Sequence, residues 1–280
     1  MNSIKPKKSL GQNFLRDRNL IDKIINTLGL NPQDIVLEIG PGTGALTEHL
    51  LDAGVSLTAV EYDKRAVDFL KEKFPQNRFP FFRLLNADIR NINIADLFNT
   101  EISDGEKVKV IGNIPYNISS DIIFYLIENR DFLEKSQLML QKEVALRLCA
   151  EPGSKTYGIT TVAVNLTGRC RFFFDVLPAS FYPSPKVTSA VIELMPDKDI
   201  DSNDYNEVMK LVKVLFNQRR KQLRNTLKNY LKPRIGNKTE VFMNFLDEKN
   251  PFFLNNRPEV LSYKNFIDLY KEIVFFKDNG

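Results

Sequence analysis

Histidine is nearly missing from this 280-residue chain, where His49 stands alone. A single histidine excludes a histidine-rich metal site and any histidine-based catalytic triad. Cysteine is scarce too. Cys149 and Cys170 have neither a C-x-x-C spacing nor histidine partners, so they read as buried structural thiols. No metal site is expected. No uninterrupted apolar run approaches the roughly 18 residues that cross a bilayer, so no membrane partner is expected. The first ten residues carry lysines but lack the apolar stretch of a secretory signal and the serine- and arginine-rich character of a transit peptide. The expected compartment is the cytoplasm.

One further absence is informative. From Val208 to Thr239 there is no acidic residue, while Arg219, Arg220, Lys221, Arg224 and six other bases stand in that interval. A second basic group, Lys5, Lys7, Lys8, Arg16 and Arg18, lies near the amino terminus. The net charge of +4 is modest, so the distribution matters more than the total. A long stretch of one sign is an electrostatic footprint for a polyanion such as nucleic acid. The ordinary alternative is a solvated helix face.

What is present suits a globular protein, with hydrophobic content of 43% and charged content of 26%. The first two-thirds alternate strand-like and helix-like segments. Strands are expected over Ile35–Ile39, Leu57–Val60, Phe81–Leu85, Lys107–Ile111 and Gln137–Leu140. Helices are expected over Thr43–Ala53, Arg65–Phe74, Ser119–Asn129 and Lys142–Leu148. That alternation predicts an α/β fold with a mainly parallel, doubly wound sheet. Arg171–Val176 and Ser189–Leu194 follow with no helix between them, as an antiparallel pair would. A polar break at 196–199 then leads into helical patterns: Leu211, Val212, Leu215 and Phe216, then Leu223, Leu227 and Leu231 at i+4, then Leu261–Phe276. Two domains are expected, 1–196 and a small helical one, 197–280.

Glu38-Ile39-Gly40-Pro41-Gly42-Thr43-Gly44 follows the first of these strands. Its glycines allow a tight turn and close approach of backbone to a ligand. Such a turn serves a dinucleotide, S-adenosylmethionine, or nothing but chain reversal. The third glycine of the dinucleotide pattern would fall at Ala45, and an acid, Glu38, precedes the turn; both favour S-adenosylmethionine. Glu38 could hold a cationic ammonium group, directly or through water. Glu61 ends the next strand about twenty residues later, where a carboxylate can accept ribose hydroxyls. Asp88 follows the strand after that and could accept an adenine amine. Asn113-Ile114-Pro115-Tyr116 ends a further strand. An amide, a fixed proline and an aromatic ring there suit a flat base with an exocyclic amine.

At these residues the chain resembles the Rossmann-like adenine-N6 methyltransferases. Gly11-Gln12-Asn13-Phe14-Leu15 and Phe181-Tyr182-Pro183-Ser184-Pro185-Lys186-Val187 narrow the likeness to the ribosomal RNA adenine dimethylases. Asn217 to Asn225 resembles the helical domain of the bacterial small-subunit members. The likeness covers nearly the whole chain; only 232–253 carries no matching motif. It implies a class I methyltransferase sheet that uses S-adenosyl-L-methionine, held by Asn13, Leu15, Gly40, Glu61, Asp88 and Asn113, with Glu38 and Gly42 added by the turn itself. It implies target-base contacts at Asn113, Ile114, Pro115 and Tyr116, with Phe14 and Phe181 as further rings. It implies a monomer acting on two adjacent adenosines near the 3′ end of 16S rRNA in the small ribosomal subunit, with Arg219, Arg220, Lys221 and Arg224 on the RNA. A 23S rRNA adenine methyltransferase conferring antibiotic resistance would share the catalytic half, but Arg219-Arg220-Lys221 and the Pro-Ser-Pro-Lys motif disfavour it. A non-catalytic RNA-binding assembly factor would not need Asn113 and Tyr116.

Overall fold

The structure, a computed structural model, describes residues 4–98, 106–197, 200–250 and 253–279. Residues 1–3 of the lysine-bearing amino terminus and residues 198 and 199 of the polar break lie outside the described residues. The chain forms two compact units, Met1–Ala145 with Arg169–Pro196, and Leu146–Gly168 with Asp197–Gly280.

In chain order the elements are β1 (Phe14–Leu15), α1 (Arg18–Leu28), β2 (Ile35–Ile39), α2 (Ala45–Asp52), β3 (Ser56–Glu61), α3 (Lys64–Lys73), β4 (Phe82–Asn86), α4 (Ile94–Leu97), β5 (Val108–Asn113), α5 (Ser119–Glu128), β6 (Leu133–Gln141), α6 (Lys142–Leu148), α7 (Ile159–Thr167), β7 (Gly168–Val176), β8 (Phe181–Tyr182) and β9 (Ser189–Pro196). Seven strands form one sheet in the order β4-β3-β2-β5-β6-β9-β7. The strands from β4 to β6 pair parallel, and β9 joins β6 antiparallel. This is the mainly parallel sheet that the alternating pattern predicts. Strands covered on both faces read as continuous apolar runs, and every residue of β2 is buried. β7 and β9 are neighbours, as their lack of a connecting helix suggests. β1 and β8 form a separate two-stranded antiparallel ribbon.

α1 has no counterpart among the helices expected above, although Ile21, Ile24 and Leu28 mark its buried stripe at i, i+3 and i+7. The Asp17 side chain caps its start by accepting the Leu20 amide. Cys149 and Cys170 are half-buried, and neither is a free thiol. This corrects the reading of two buried thiols; spacing alone carries no sign of it.

In the second unit α7 packs on α8 (Ser202–Phe216) and α11 (Tyr263–Asn279), and α8 packs on α9 (Leu223–Ile235), which packs on α10 (Thr239–Lys249). The i+4 series Leu223, Leu227 and Leu231 is fully buried. The segment Leu146–Gly168, assigned by sequence to the first domain, groups with these helices because α7 lays its apolar face on α8 and α11. Among the described residues no helix is long and apolar enough to cross a membrane.

Candidate functional site

The strand order reverses between β2 and β5, and their carboxyl ends lie side by side, with Ile39 opposite Gly112. Ligands of open α/β sheets bind at such a switch point, because the loops diverge there and leave a crevice. Here the crevice lies between the turn after β2 and the Asn113–Tyr116 segment after β5. One cleft is lined by Asn13, Phe14, Leu15, Glu38, Gly40, Gly42, Glu61, Asp88, Asn113, Ile114, Pro115 and Tyr116. Every expected cofactor and target contact of the first unit therefore meets in one place, except Phe181.

Phe181 is 5% exposed and packs in the hydrophobic core with Leu15, Val176 and Val191. The register of the ribbon supplies the reason. Leu15 is opposite Phe181, and Phe14 is opposite Tyr182. Residues directly opposite share a face of the ribbon, and successive residues alternate faces. Phe181 thus turns toward the core with Leu15, while Tyr182 shares the face of Phe14.

The turn after β2 holds Gly42 at φ +57 and Gly44 at φ +78. A side chain is strained in that left-handed region. A Cβ at Gly42 would come within 3.0 Å of the Phe14 ring, so Gly42 lets the amino-terminal segment close over the turn. A Cβ at Gly44 would meet Phe74 at 2.7 Å and Leu70 at 2.8 Å. Gly44 therefore serves the packing of the turn against α3 and its C-cap, not ligand approach.

Glu61 is 6% exposed. Its Oε2 accepts the Gly42 amide at 3.0 Å and its Oε1 accepts the Asp63 amide at 2.8 Å. A carboxylate offers about four acceptor directions, so these bonds leave acceptor capacity for a ligand. Burial pushes its pKa up. Glu38 is 1% exposed, and its Oε2 accepts the Thr47 hydroxyl at 2.7 Å. Burial pushes its carboxyl up to about 8, the Thr47 bond opposes this, and the neighbouring Glu61 adds to it. Burial thus favours the protonated form of this carboxyl.

Asp88 stands two residues past the end of β4, capping a short turn at Ile89–Asn91. Arg90 clamps it, with Nε 3.0 Å from Oδ1 and Nη2 2.7 Å from Oδ2, and the guanidinium holds the carboxyl below its ordinary range. The same Arg90 reaches Asp121 on α5 at 2.9 Å. Most acceptor directions of Asp88 are thus occupied by Arg90, a partner the sequence reading does not include.

Asn113 donates from Nδ2 to the Asn13 carbonyl at 2.9 Å, leaving Oδ1 without a protein partner among the described residues. The Ile114 amide donates to the Met139 carbonyl at 3.0 Å, and Pro115 holds φ at −56. Tyr116 is half-buried, and its hydroxyl bonds to the Ser189 hydroxyl at 2.7 Å, which fixes the ring. Burial pushes the Tyr116 phenol up, so it stays neutral.

The amino-terminal wall of the cleft is tied down by residues that sequence reasoning missed. Gln12 donates to Asp63 at 3.0 Å and accepts the Lys7 amide at 2.9 Å. Arg65 donates to both Asp63 oxygens and, at 3.2 Å, to the Lys5 carbonyl. The Arg65 guanidinium brings the Asp63 carboxyl down to about 2. An aspartate at the start of a helix was legible as a cap; its long-range ties were not.

In the second unit, the basic residues divide. Arg219 donates to Glu259 at 2.6 Å and to the backbone carbonyls of Ser154 and Lys155. Arg224 binds both oxygens of Asp247, at 2.8 and 2.9 Å. Both are internal ties of the unit, partners that the run of bases does not show. Arg220 and Lys221 are exposed, and neither forms an ion pair among the described residues.

The family model described as ribosomal RNA adenine dimethylase matches residues 3–268. A protein of Prosthecochloris aestuarii named ribosomal RNA small subunit methyltransferase A is 44% identical over 224 residues, 80% of this chain and 82% of its own. A protein of the same name from Francisella tularensis subsp. novicida is 40% identical over 267 residues, 95% and 96% of the two chains. A crystal structure of a dimethyladenosine transferase from Plasmodium falciparum is similar with a TM-score of 0.79 at 26% identity, covering 94% of this chain and 98% of that one. The 23S rRNA methyltransferase ErmE shares the fold, with a TM-score of 0.68 at 24% identity over 94% of this chain and 100% of its own.

Proposed function

The chain belongs to the ribosomal RNA adenine dimethylase family and is an rRNA methyltransferase, and from that premise we propose that it dimethylates N6 of two adjacent adenosines near the 3′ end of 16S rRNA. It works with S-adenosylmethionine, as a monomer in the cytoplasm, on the small ribosomal subunit during maturation. The names of the relatives at 40–44% identity support the small subunit over the 23S alternative. The observation that carries the chemistry is the pinned Asn113 amide: its NH2 is engaged by the Asn13 carbonyl, so its oxygen is the atom left to meet an N–H donor.

The cleft fits S-adenosylmethionine. That molecule is cationic and rich in N–H and O–H donors, and the cleft offers the carboxyls of Glu38, Glu61 and Asp88. Glu61 keeps acceptor capacity for ribose hydroxyls. Glu38 suits the ammonium group, whose charge would draw the proton off this buried carboxyl. Asp88 suits the adenine amine only by sharing its oxygens with Arg90. Asn13, Leu15, Gly40 and Gly42 complete the pocket.

When bound, S-adenosylmethionine supplies a methyl group that is already strongly electrophilic. The protein's task is to prepare the nucleophile. The adenine N6 lone pair is delocalised into its ring. The Asn113 oxygen and the Ile114 carbonyl accept the two amine hydrogens, which favours a more tetrahedral nitrogen and frees the lone pair. Pro115 fixes the peptide that carries the Ile114 carbonyl. The Tyr116 ring stacks on the base, worth ~1–3 kcal/mol in single-strand binders, and Phe14 bounds the pocket. Most of the acceleration is positional. No general base is assigned, since Asn113 does not titrate; the proton leaves to water after transfer. Unstacking the adenosine costs a few kcal/mol, offset by phosphate contacts from the helical unit, with Arg220 and Lys221 as the available cations.

The test is transfer of labelled methyl groups to undermethylated small subunits and, in parallel, to large subunits, followed by nucleoside analysis. Label in N6,N6-dimethyladenosine of 16S rRNA is expected. Label confined to 23S rRNA, or none in either, would refute the reading.

A further inference from the structure

The ribbon of β1 and β8 puts more at the cleft than its wall. Phe14 lines the cleft, and Tyr182 stands directly opposite it in the register. Arg16 lies two residues beyond Phe14, and its amide still pairs across the ribbon with the Ser180 carbonyl at 2.9 Å. Side chains at i and i+2 share a face, as do directly opposed residues. Phe14, Arg16 and Tyr182 therefore share one face. Phe14 is 9% exposed, whereas Tyr182 is 49% exposed. Along this face the ribbon leads from the buried ring at the cleft to an exposed ring outside it.

The exposed ring is not bare. The Arg16 guanidinium lies 4.0 Å from the centroid of the Tyr182 ring. No carboxylate pairs with Arg16 among the described residues. The nearest acid in the chain, Asp17, is taken up by the Leu20 amide and the Ser180 hydroxyl. Arg18 and Lys186, two residues after Arg16 and four after Tyr182 in the chain, are exposed. A stacked guanidinium and phenol ring, unpaired with acid and flanked by cations, has the composition of a site for an unpaired base and its phosphate.

We propose that Arg16 and Tyr182 form a stacking subsite for the nucleotide that flanks the target adenosine in single-stranded RNA. The proposal rests on the reading of the cleft as an adenosine pocket. Opposed Cα atoms in an antiparallel pair are about 4.5–5.5 Å apart, a distance on the order of one nucleotide step. A neighbouring base stacked on the guanidinium–phenol pair would hold the strand while the adenosine turns into the cleft. With two adjacent adenosines as targets, this subsite holds one while the other reacts.

The experiment compares the wild-type protein with Tyr182→Ala, Tyr182→Phe and Arg16→Ala. The probe is a short RNA of the target sequence with 2-aminopurine in place of the flanking base. Stacking quenches that fluorophore. Wild type and Tyr182→Phe should quench it alike, and Tyr182→Ala should not. On small subunits, Tyr182→Ala should lower kcat/KM for RNA by roughly 5- to 150-fold, the range expected for one lost stack. Arg16→Ala should give a smaller loss, and cofactor affinity should be unchanged in all three. Equal quenching and equal kcat/KM in Tyr182→Ala would overturn the subsite while leaving the adenosine reading intact. A wild type that transfers no methyl group to adenine would instead bring down the reading beneath it.

Discussion

Replacing Glu38 with glutamine tests whether the cleft of the protein alone carries a neutral carboxyl. Glu38 is 1% exposed, and Thr47 donates to it from its hydroxyl and its backbone amide. Its carboxyl is pushed from 4.5 up to about 8, chiefly by burial. The folded value lies above the unfolded one. Between the two, the folded protein holds a proton that the unfolded chain has lost. This contribution to stability is fully present below about pH 4.5 and is lost as pH rises through about 8. At about 1.4 kcal/mol per pH unit, the limit across that window is ~5 kcal/mol. Relaxation and water entry reduce such figures, and ~2–3 kcal/mol is a working expectation. Glutamine has the shape of the protonated acid, can still accept from Thr47, and does not titrate. The assay is urea unfolding of both proteins without cofactor, at about pH 5.5 and about pH 8.5. Wild type should lose stability relative to Glu38→Gln as pH rises. Glu61 is also raised by burial and slopes the same way in both proteins, so the difference between the curves is the quantity to read. Calorimetry in buffers of different ionisation enthalpy should show proton release on S-adenosylmethionine binding in wild type and less in the variant. Curves parallel to within about 0.5 kcal/mol would refute the neutral carboxyl.

Four further outcomes are expected. Glu61→Ala should weaken cofactor binding by ~1.5–3 kcal/mol and also loosen the turn through the lost bond to the Gly42 amide; unchanged affinity by calorimetry would remove Glu61 from the site. Asn113→Ala should largely abolish methyl transfer at saturating cofactor while RNA association persists, and near-normal turnover would dismiss its hydrogen-bond role. The pair Arg220→Ala with Lys221→Ala should flatten the salt dependence of RNA affinity by up to about 2, whereas Arg219→Ala should lower the melting temperature, since it breaks the tie to Glu259; equal salt slopes in wild type and the double variant would count against RNA contact. Gly44→Ala should destabilise the protein by ~2–4 kcal/mol, because its Cβ would strike Phe74 and Leu70; an unchanged urea midpoint would contradict that packing.

The parallel sheet was legible because apolar runs such as Ile35–Ile39 leave β2 no solvent face to show. The helix at Arg18–Leu28 was equally legible in its i, i+3, i+7 spacing, yet glycine and motif signals on either side drew the reading past it. Local spacing could not reveal that the segment around α7 groups with the helical unit, because its contacts are with α8 and α11, distant in sequence. Phe181 and Tyr182 show the sharper limit. Adjacent residues in a strand face opposite ways, and only the register with Phe14–Leu15 decides which ring turns into the core.

The charged residues follow the same logic. Their positions at strand ends and helix starts are local facts and were read correctly as positions. Their available bonding capacity is a long-range fact. Asp88 reads as a free acceptor until Arg90 is seen to fill most of it. Arg219 and Arg224 read as unengaged cations until Glu259 and Asp247, 40 and 23 residues away, are seen to bond them. A run without acids is therefore weaker evidence for a nucleic-acid face than its length suggests, because the neutralising carboxylates can come from elsewhere in the chain. Arg220 and Lys221 keep their place in the argument for a different reason, which is that folding leaves them exposed and unpaired among the described residues.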